Sequence, residues 1–360
     1  MEPTMAVNVH SGVERGAAFE DRLLGVLNSA SLALGLSIGH RTGLLDAMAG
    51  LEPATSEEIA AASRLNERYV REWLGAMVTG DIVDYSPFRN LYHLPPEHAA
   101  LLTRAGEANL AAILQYVPVL GQVEDRLVEC FRHGGGVGYE HFHRFHDVMA
   151  EDSAQTVVAA LFDSILPLAP GLQPRLEAGI DVLDVGCGQG RALLEMAARY
   201  PSSRFTGYDL SREAIGRARQ AARDRGVANL GFEVRDLELM RDDSAYDLVT
   251  GFDIVHDQRR PDIVLRNIRR ALRPGGLFLM QDIAASSHVE QNIDHPIGPF
   301  LYTISLCHCM PVSLAREGMG LGACWGRELA LQMLAEAEFT QVDVRDLPHD
   351  IQNHFYLAMP

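Results

Sequence analysis

The stretch Asp181-Val-Leu-Asp-Val-Gly-Cys-Gly-Gln-Gly-Arg-Ala-Leu-Leu194 decides how this chain is read. Val182, Leu183 and Val185 form an apolar run that enters a turn carrying glycines at 186, 188 and 190. Apolar residues at helical spacing follow, in RALLEMAARY. The pattern is strand, tight turn, helix, the first unit of a doubly wound sheet with a ligand lying across the turn. Glycine lets the backbone approach that ligand closely, and the helix that follows offers it unpaired N–H groups. The spacing Gly186-x-Gly188-x-Gly190 is shorter than a dinucleotide fingerprint, so the turn is not expected to hold a pyrophosphate.

Outward from this turn, strands are expected at 181–186, 204–209, 230–235, 246–252, 275–282, 339–346 and 353–359, the last two as an antiparallel terminal pair. Each of the first units ends on chemistry. Asp184 precedes the glycine turn, and Asp209 falls 19 residues beyond Gly190, where an acid grips a ribose diol. Asp236-Leu237 follows the third strand. The fourth runs into Phe252-Asp-Ile-Val-His256-Asp257, and Pro274-Gly-Gly introduces the fifth. One such acid alone reads as a helix cap or a solvated loop; three at successive strand ends point to one ligand.

These ordered motifs resemble the class I S-adenosylmethionine-dependent methyltransferases over about 175–360. The resemblance implies an α/β fold with a seven-stranded Rossmann-like methyltransferase sheet in the order 3-2-1-4-5-7-6, the seventh strand antiparallel. It implies S-adenosyl-L-methionine as cofactor, with S-adenosyl-L-homocysteine as product. The turn Gly186–Gly190 passes the methionine part, and Asp209, with Leu210 beside it, takes the ribose hydroxyls. Asp236 accepts from the adenine amino group, Leu237 lies against the ring, and Asp184 and Phe252 complete the cofactor set. His256 and Asp257 stand where small-molecule O-methyltransferases of the caffeate and polyketide type carry their base. The tryptophan that usually follows is replaced by Gln258, and Arg259-Arg260-Pro261 stands in place of an acidic pair. The chain is also similar to a bacterial group with an IHDQ-type segment and a cysteine- and histidine-bearing stretch before the last helix.

The N-terminal half divides into an arm (1–20), a mostly helical winged-helix or dimerisation domain (21–105) and a helical connector and substrate lid (106–170), ahead of the catalytic domain (171–360). One or two apolar helices are expected over 23–50. A capped helix starts at Thr55-Ser-Glu-Glu, and an amphipathic helix over 66–77 carries Tyr69, Val70, Trp73, Leu74 and Met77 on its apolar side. A short hairpin follows. Nucleic acid is not the expected partner: the net charge is −17, no lysine occurs, and seven arginines face ten acids between 21 and 105. The apolar first helices suit burial against a second copy in a homodimer.

Gly134-Gly-Gly-Val-Gly-Tyr-Glu-His-Phe-His-Arg-Phe-His146 interrupts the connector as a lid would. His141, His143 and His146 do not share the face that a zinc site needs, so no metal is expected. Tyr139 and Phe142 fit a ligand wall or simple packing. The insertion 286–326 lies at the face where sheet enzymes place specificity loops. There Tyr302, His308, Met310 and Trp325 are candidates for the substrate wall, and His295 for assisting proton transfer. A soft atom bound by Cys187, Cys307, Cys309 and Cys324 is a lesser alternative to buried thiols.

Five cysteines make no disulfide framework, and neither a secretory leader nor an apolar run long enough to span a bilayer is visible, so a cytoplasmic protein is expected. The expected activity is methyl transfer to a hydroxyl of a small molecule, with amine or thiol behind, and His256 as general base. Asp257, or a remote acid such as Asp282, would fix its tautomer. The rival readings are a cofactor-sensing winged-helix regulator that binds DNA, and a methyltransferase acting on RNA, protein, arsenic or a thiol.

Overall fold

The computed structural model describes residues 12–106, 108–348 and 350–360, in two compact units that divide at Pro118/Val119. Most of the expected arm (1–11) lies outside the described residues, and from Gly12 the chain is already helical.

In the first unit, α1 (Gly12–Thr42) and α2 (Leu44–Ala49) precede α3 (Ser56–Ser63) and α4 (Glu67–Thr79). The start of α3 is the expected capping box: Thr55 Oγ1 accepts from Glu58 N, and the Glu58 carboxylate accepts from Thr55 N. Asn66 caps α4 through Arg68 N. Val70, Trp73, Leu74 and Met77 are buried, but Tyr69 is 79% exposed, which corrects its expected place on the apolar side. A stripe through 70, 73, 74 and 77 follows the helical repeat, and position 69 lies at its edge, about 40° from Trp73 and about 90° from the centre of the stripe.

Gly35 and Gly39 let α4 press against α1: a Cβ at either would stand 2.6 Å from Met77 or Trp73. Trp73 Nε1 donates to the Gly35 carbonyl at 2.7 Å. The wing is the antiparallel pair β1 (Asp84–Ser86) and β2 (Leu91–His93), and α5 (Pro96–Leu102) and α6 (Leu110–Ile113) follow.

By length and composition α1 can cross a membrane: within Arg15–Thr42 a window reaches mean hydropathy 1.4, and 28% of that window is buried. Counting uninterrupted apolar residues misses it, because Asn, Ser and Gly break the run without lowering its average below that level. Phe19, Leu23, Leu24, Val26 and Leu27 lie exposed along it.

In the second unit, α8 (Glu124–His133) and α9 (Phe145–Ser153), entered after α7 (Tyr116–Gly121), lead through two π-helical turns, 154–158 and 161–165, to α10 (Leu172–Ala178). The connector does not stand apart from the catalytic sheet, as its expected boundary near 170 would have it. Val157, Leu161, Ile165 and Leu166 share one buried cluster with Val182, Leu248 and Phe355.

The strands are β3 (Asp181–Val185), β4 (Arg204–Asp209), β5 (Leu230–Val234), β6 (Tyr246–Phe252), β7 (Leu272–Ile283), β8 (Gln341–Asp346) and β9 (Asn353–Met359). They line up as β5-β4-β3-β6-β7-β9-β8, parallel up to β7, with β9 antiparallel to both neighbours. This is the order 3-2-1-4-5-7-6. Strand β7 begins three residues earlier than expected, and its register against β6 slips between Tyr246↔Leu272 and Leu248↔Leu277, absorbing Pro274-Gly-Gly as a bulge.

Successive side chains feed opposite faces. Val182, Leu248 and Leu279 pack with α11 (Arg191–Arg199) and α12 (Arg212–Asp224). Leu183, Val249, Phe278 and Met280 pack with α13 (Pro261–Ala271) and α16 (Gly326–Glu336). Between β7 and α16 the insertion folds as α14 (Gly298–Ile304), a π-helical turn Ser305–Cys309, α15 (Met310–Leu314) and a 3-10 turn Ala323–Trp325.

Gly326 closes this insertion at φ +81, and a Cβ there would stand 1.9 Å from Ser287 N. Gly326→Ala is therefore expected to cost more than about 1 kcal/mol, with both strain and a backbone clash to relieve. Chemical denaturation of the pure protein measures it.

Candidate functional site

Parallel pairing brings the ends of β3, β4, β5 and β6 to one edge, and the expected acids arrive with them. Asp184 is buried and accepts from Thr250 Oγ1 of the neighbouring strand at 2.7 Å. Burial, helped by the Asp209 charge and opposed by that hydrogen bond, lifts its pKa to about 7. Gly186, Gly188 and Gly190 all adopt positive φ. A Cβ on Gly186 would meet Ile254 at 2.5 Å and one on Gly190 would meet Phe232 at 2.4 Å, whereas Gly188 looks into open space.

Asp209 is tied to this turn: its Oδ2 accepts from Gly188 N at 2.8 Å and its Oδ1 from Ser211 N at 2.7 Å. Each oxygen keeps a further lone pair, which suits a vicinal diol. Asp236 caps the next turn through Glu238 N and has Arg316 at 3.5 Å. Leu210 is half-exposed beside Asp209, whereas Leu237 points into the core and offers its carbonyl to Asn267. Phe252 is half-buried at the end of β6. An open glycine, a carboxylate pinned to the glycine turn and an exposed apolar neighbour fit a nucleoside with a short charged tail.

One strand over, His256 is 4% exposed, and its Nδ1 lies 2.8 Å from Asp282 Oδ1. Burial opposes its charge, but the Asp282 carboxylate and the Cys309 thiol beside it outweigh that and raise its pKa well above 6.5. The tautomer is thus fixed from β7. Asp257, adjacent in sequence, turns elsewhere and accepts from Tyr139 Oη at 2.5 Å. Burial raises the pKa of both Asp257 and Tyr139. This corrects the expectation that Asp257 could orient the base, since neighbouring side chains diverge from one backbone turn.

Trp325 is also not part of an open wall: it is 3% exposed, with its indole N–H on Asp282 Oδ1 at 2.9 Å. His308 sits in the π-helical turn, stacked on Phe145 with centroids 3.5 Å apart and edge-on to Phe142 and Tyr139. Burial, then His146 and His256, hold its pKa well below 6.5, so it is neutral; its Nε2 is buried without a partner. Tyr139, Phe142, Phe145 and His308 thus form one aromatic cluster across the lid and the insertion.

Met310 follows on α15, half-buried. Tyr302 and His295 lie apart from the cluster: Tyr302 Oη accepts from Asn292 Nδ2 at 2.9 Å, and His295 Nδ1 from Ile297 N at 3.3 Å. The insertion is stapled to the loop after β6, with Ser313 Oγ donating to the Gln258 carbonyl and Met319 N to that of Arg259. Arg259 in turn pairs with Glu238 of the loop after β5. All five cysteines are free, and among the described residues no group of three or more His, Cys, Asp or Glu side chains is arranged to hold a metal ion.

Sequence reasoning missed Asp253. It follows β6 at φ +55, accepts from Gln281 Nε2 at 2.8 Å, and has its other oxygen buried and unpartnered. Burial, with Asp282 nearby, lifts its pKa to about 8. Its place at the tip of a strand was the available signal.

Residues 176–299 match the family model of a methyltransferase domain, and residues 30–104 match that of an Rv2258c-like winged helix-turn-helix domain. The chain thus carries a winged helix-turn-helix domain followed by a methyltransferase domain, the layout expected from the class I S-adenosylmethionine-dependent methyltransferases it resembles. A fatty-acid O-methyltransferase of Mycolicibacterium smegmatis is 33% identical over 104 residues, 29% of this chain and 37% of that one. Cycloartenol-C-24-methyltransferase 1 of Oryza sativa is 24% identical over 246 residues, 68% of this chain and 65% of that one. The chain thus spans about a third to two thirds of the length of these curated relatives. Among solved structures, human N-acetylserotonin methyltransferase aligns with TM-score 0.68 at 15% identity, over 98% of this chain and 99% of that one. An O-methyltransferase family protein of Burkholderia thailandensis aligns with TM-score 0.68 at 16% identity, over 98% of each. At such identities the likeness is one of fold.

The raised carboxyls set a pH dependence. An aspartate whose pKa rises on folding keeps a proton that the unfolded chain has released. Its stabilising contribution is complete below the unfolded value of 3.8 and is lost as pH rises through the folded one, about 7 for Asp184 and about 8 for Asp253. The melting temperature of the ligand-free protein should therefore fall between about pH 5 and about pH 8 and level off above that, and fall less in Asp253→Asn. Thermal melts across that range test it.

Proposed function

We propose that this protein transfers the methyl group of S-adenosyl-L-methionine to a hydroxyl of a small molecule, with His256 as general base. The observation that carries the reading is the buried His256–Asp282 pair at the end of β6 and β7, beside the strand that bears the glycine turn. The cofactor supplies a methyl group already activated on a sulfonium, so the protein has to align the partners and remove one proton.

Gly186–Gly190 and Asp209 would hold the amino acid and ribose parts and Asp236 the adenine end, where half-exposed Leu210 would take the place of the buried Leu237 as apolar contact; Asp184 and Phe252 would complete the set. His256, oriented through Nδ1, presents Nε2 to the acceptor and takes its proton. Half-buried Tyr139 and Met310 are the candidates for a wall facing an uncharged acceptor, with the buried Phe142 and His308 packed behind them, while His295 and Tyr302 belong to its outer rim. An oxygen acceptor is supported by relatives named as O-methyltransferases; amine and thiol acceptors come second. The winged-helix domain (21–105) serves dimerisation, the exposed apolar side of α1 meeting a second copy. Arg68 and Arg71 of α4 are paired with Glu72 and Glu67, which speaks against a phosphate backbone as ligand. Five unpaired cysteines fit a reducing compartment such as the cytoplasm.

Replacing His256 with alanine is expected to slow turnover by about 10²-fold or more while S-adenosylhomocysteine still binds as in the wild type. Asp209→Ala should weaken that binding itself, by about tenfold or more, because a charge-assisted pair of hydrogen bonds is lost. Calorimetry with S-adenosylhomocysteine, together with mass detection of methylated product across a panel of acceptor alcohols and phenols, separates the two. Equal turnover in His256→Ala removes the base assignment, and unchanged calorimetric affinity in Asp209→Ala removes the ribose contact.

A further inference from the structure

Three donors converge on one oxygen of Asp282. His256 Nδ1 lies at 2.8 Å, Trp325 Nε1 at 2.9 Å and Ile283 N at 2.9 Å, all on Oδ1, while Oδ2 is buried with no partner. The carboxylate is 0% exposed, so water does not share the load. We propose that Trp325 is a positioning residue of the methyl-transfer site, whose indole N–H competes with His256 for Asp282 and so loosens the carboxylate's hold on the imidazole proton.

The physical argument is one of sign. A carboxylate stripped of water holds a histidine proton tightly, and a base that stays protonated abstracts nothing. Each further donor on the carboxylate spreads its charge and weakens that hold. The indole dipole also turns its positive end toward the shared oxygen, which disfavours a second positive charge on His256. The backbone N–H of Ile283 acts in the same direction, but it belongs to every sequence. The indole is the contribution this sequence adds.

Other groups face the pair. Cys309 and His308 come from the π-helical turn, Asp253 and Asp257 from the loop after β6, and Cys324 from the turn before α16. Tyr356 of β9 faces Asp282. Cys309 and the acids favour the charged imidazole and His308 disfavours it, yet none of them donates to Asp282.

The local fold treats Trp325 as a fixed part. It stands between Gly322 and Gly326, both at positive φ, and its carbonyl accepts from Ser287 Oγ at 2.5 Å. Ala330 and Met333 of α16 belong to the same buried cluster as its ring. Backbone and side chain are both held, so the indole N–H has one direction to point. A smaller phenyl ring would supply apolar area but no donor; the N–H is what the carboxylate uses.

The inference rests on His256 being the base, and its test needs neither acceptor nor cofactor. The full-length protein, with histidines labelled in the imidazole ring, is titrated by NMR from pH 5 to 11, the His256 signals being assigned by their loss in His256→Asn. In Trp325→Phe the His256 midpoint is expected about one pH unit higher than in wild type. Phenylalanine leaves a void that can itself disturb the fold, so a second arm removes only the N–H. The chain has two tryptophans, Trp73 and Trp325. In a Trp73→Phe background, benzothienylalanine at 325 keeps the shape of the ring and replaces N–H by sulfur. The same upward shift, relative to Trp73→Phe with tryptophan at 325, supports the proposal. An unchanged or lower midpoint, or a wild-type His256 still charged at pH 10, overturns it. Loss of turnover in His256→Ala is scored separately: if the midpoint moves and His256→Ala stays active, the hydrogen-bond chain stands and the base assignment falls.

Discussion

A carboxylate with no exposed surface has to be met by donors, and Asp282 at the tip of β7 imposes that demand on everything around it. His256 arrives from the loop after β6, which runs parallel to β7, so the imidazole meets the carboxylate from a neighbouring strand end. Trp325 arrives from far along the chain, and the turn that brings it needs two glycines in the left-handed half of the map. The long insertion between β7 and α16 is therefore more than a surface loop. It returns to the strand it left and adds a side-chain donor to that strand's last acid.

The same logic explains why the ligand-facing acids are so differently placed. Asp209 and Asp236 are solvated enough to spend their oxygens on backbone N–H groups that shape turns, and each still has lone pairs to offer. Asp184 and Asp253 are dry, each with one side-chain donor, and burial pushes both toward the neutral acid. A cationic ligand at this edge would reverse that balance, because a nearby positive charge favours the ionised carboxylate.

The catalytic sheet was legible in sequence almost strand for strand, since each strand is an apolar run ended by a glycine or an acid. Capping chemistry likewise announced α3 at Thr55 and Glu58. What could not be read was whatever depends on where distant segments meet. Asp257 and His256 are neighbours in sequence, yet the first serves Tyr139 and the second Asp282. The connector has helical composition like any other, and only packing shows Leu161 and Ile165 embedded in the core of the sheet. Tyr69 failed for a local reason: it sits at the edge of the buried stripe, one turn before Trp73, and an edge position on a helix can face solvent as readily as core.

Trp325 shows how a residue type can mislead when its polar handle is ignored. An aromatic in a specificity loop suggests a wall, because stacking area is what such rings usually contribute. A buried indole, however, carries a donor that must be used, and the nearest full negative charge is the carboxylate that also orients the candidate base. The ring's packing and its N–H make separate demands, and only Trp among the large apolar residues meets both. The choice of residue at 325 is thus constrained by the hydrogen bond to Asp282 as well as by volume, although the two residues lie on segments far apart in the chain.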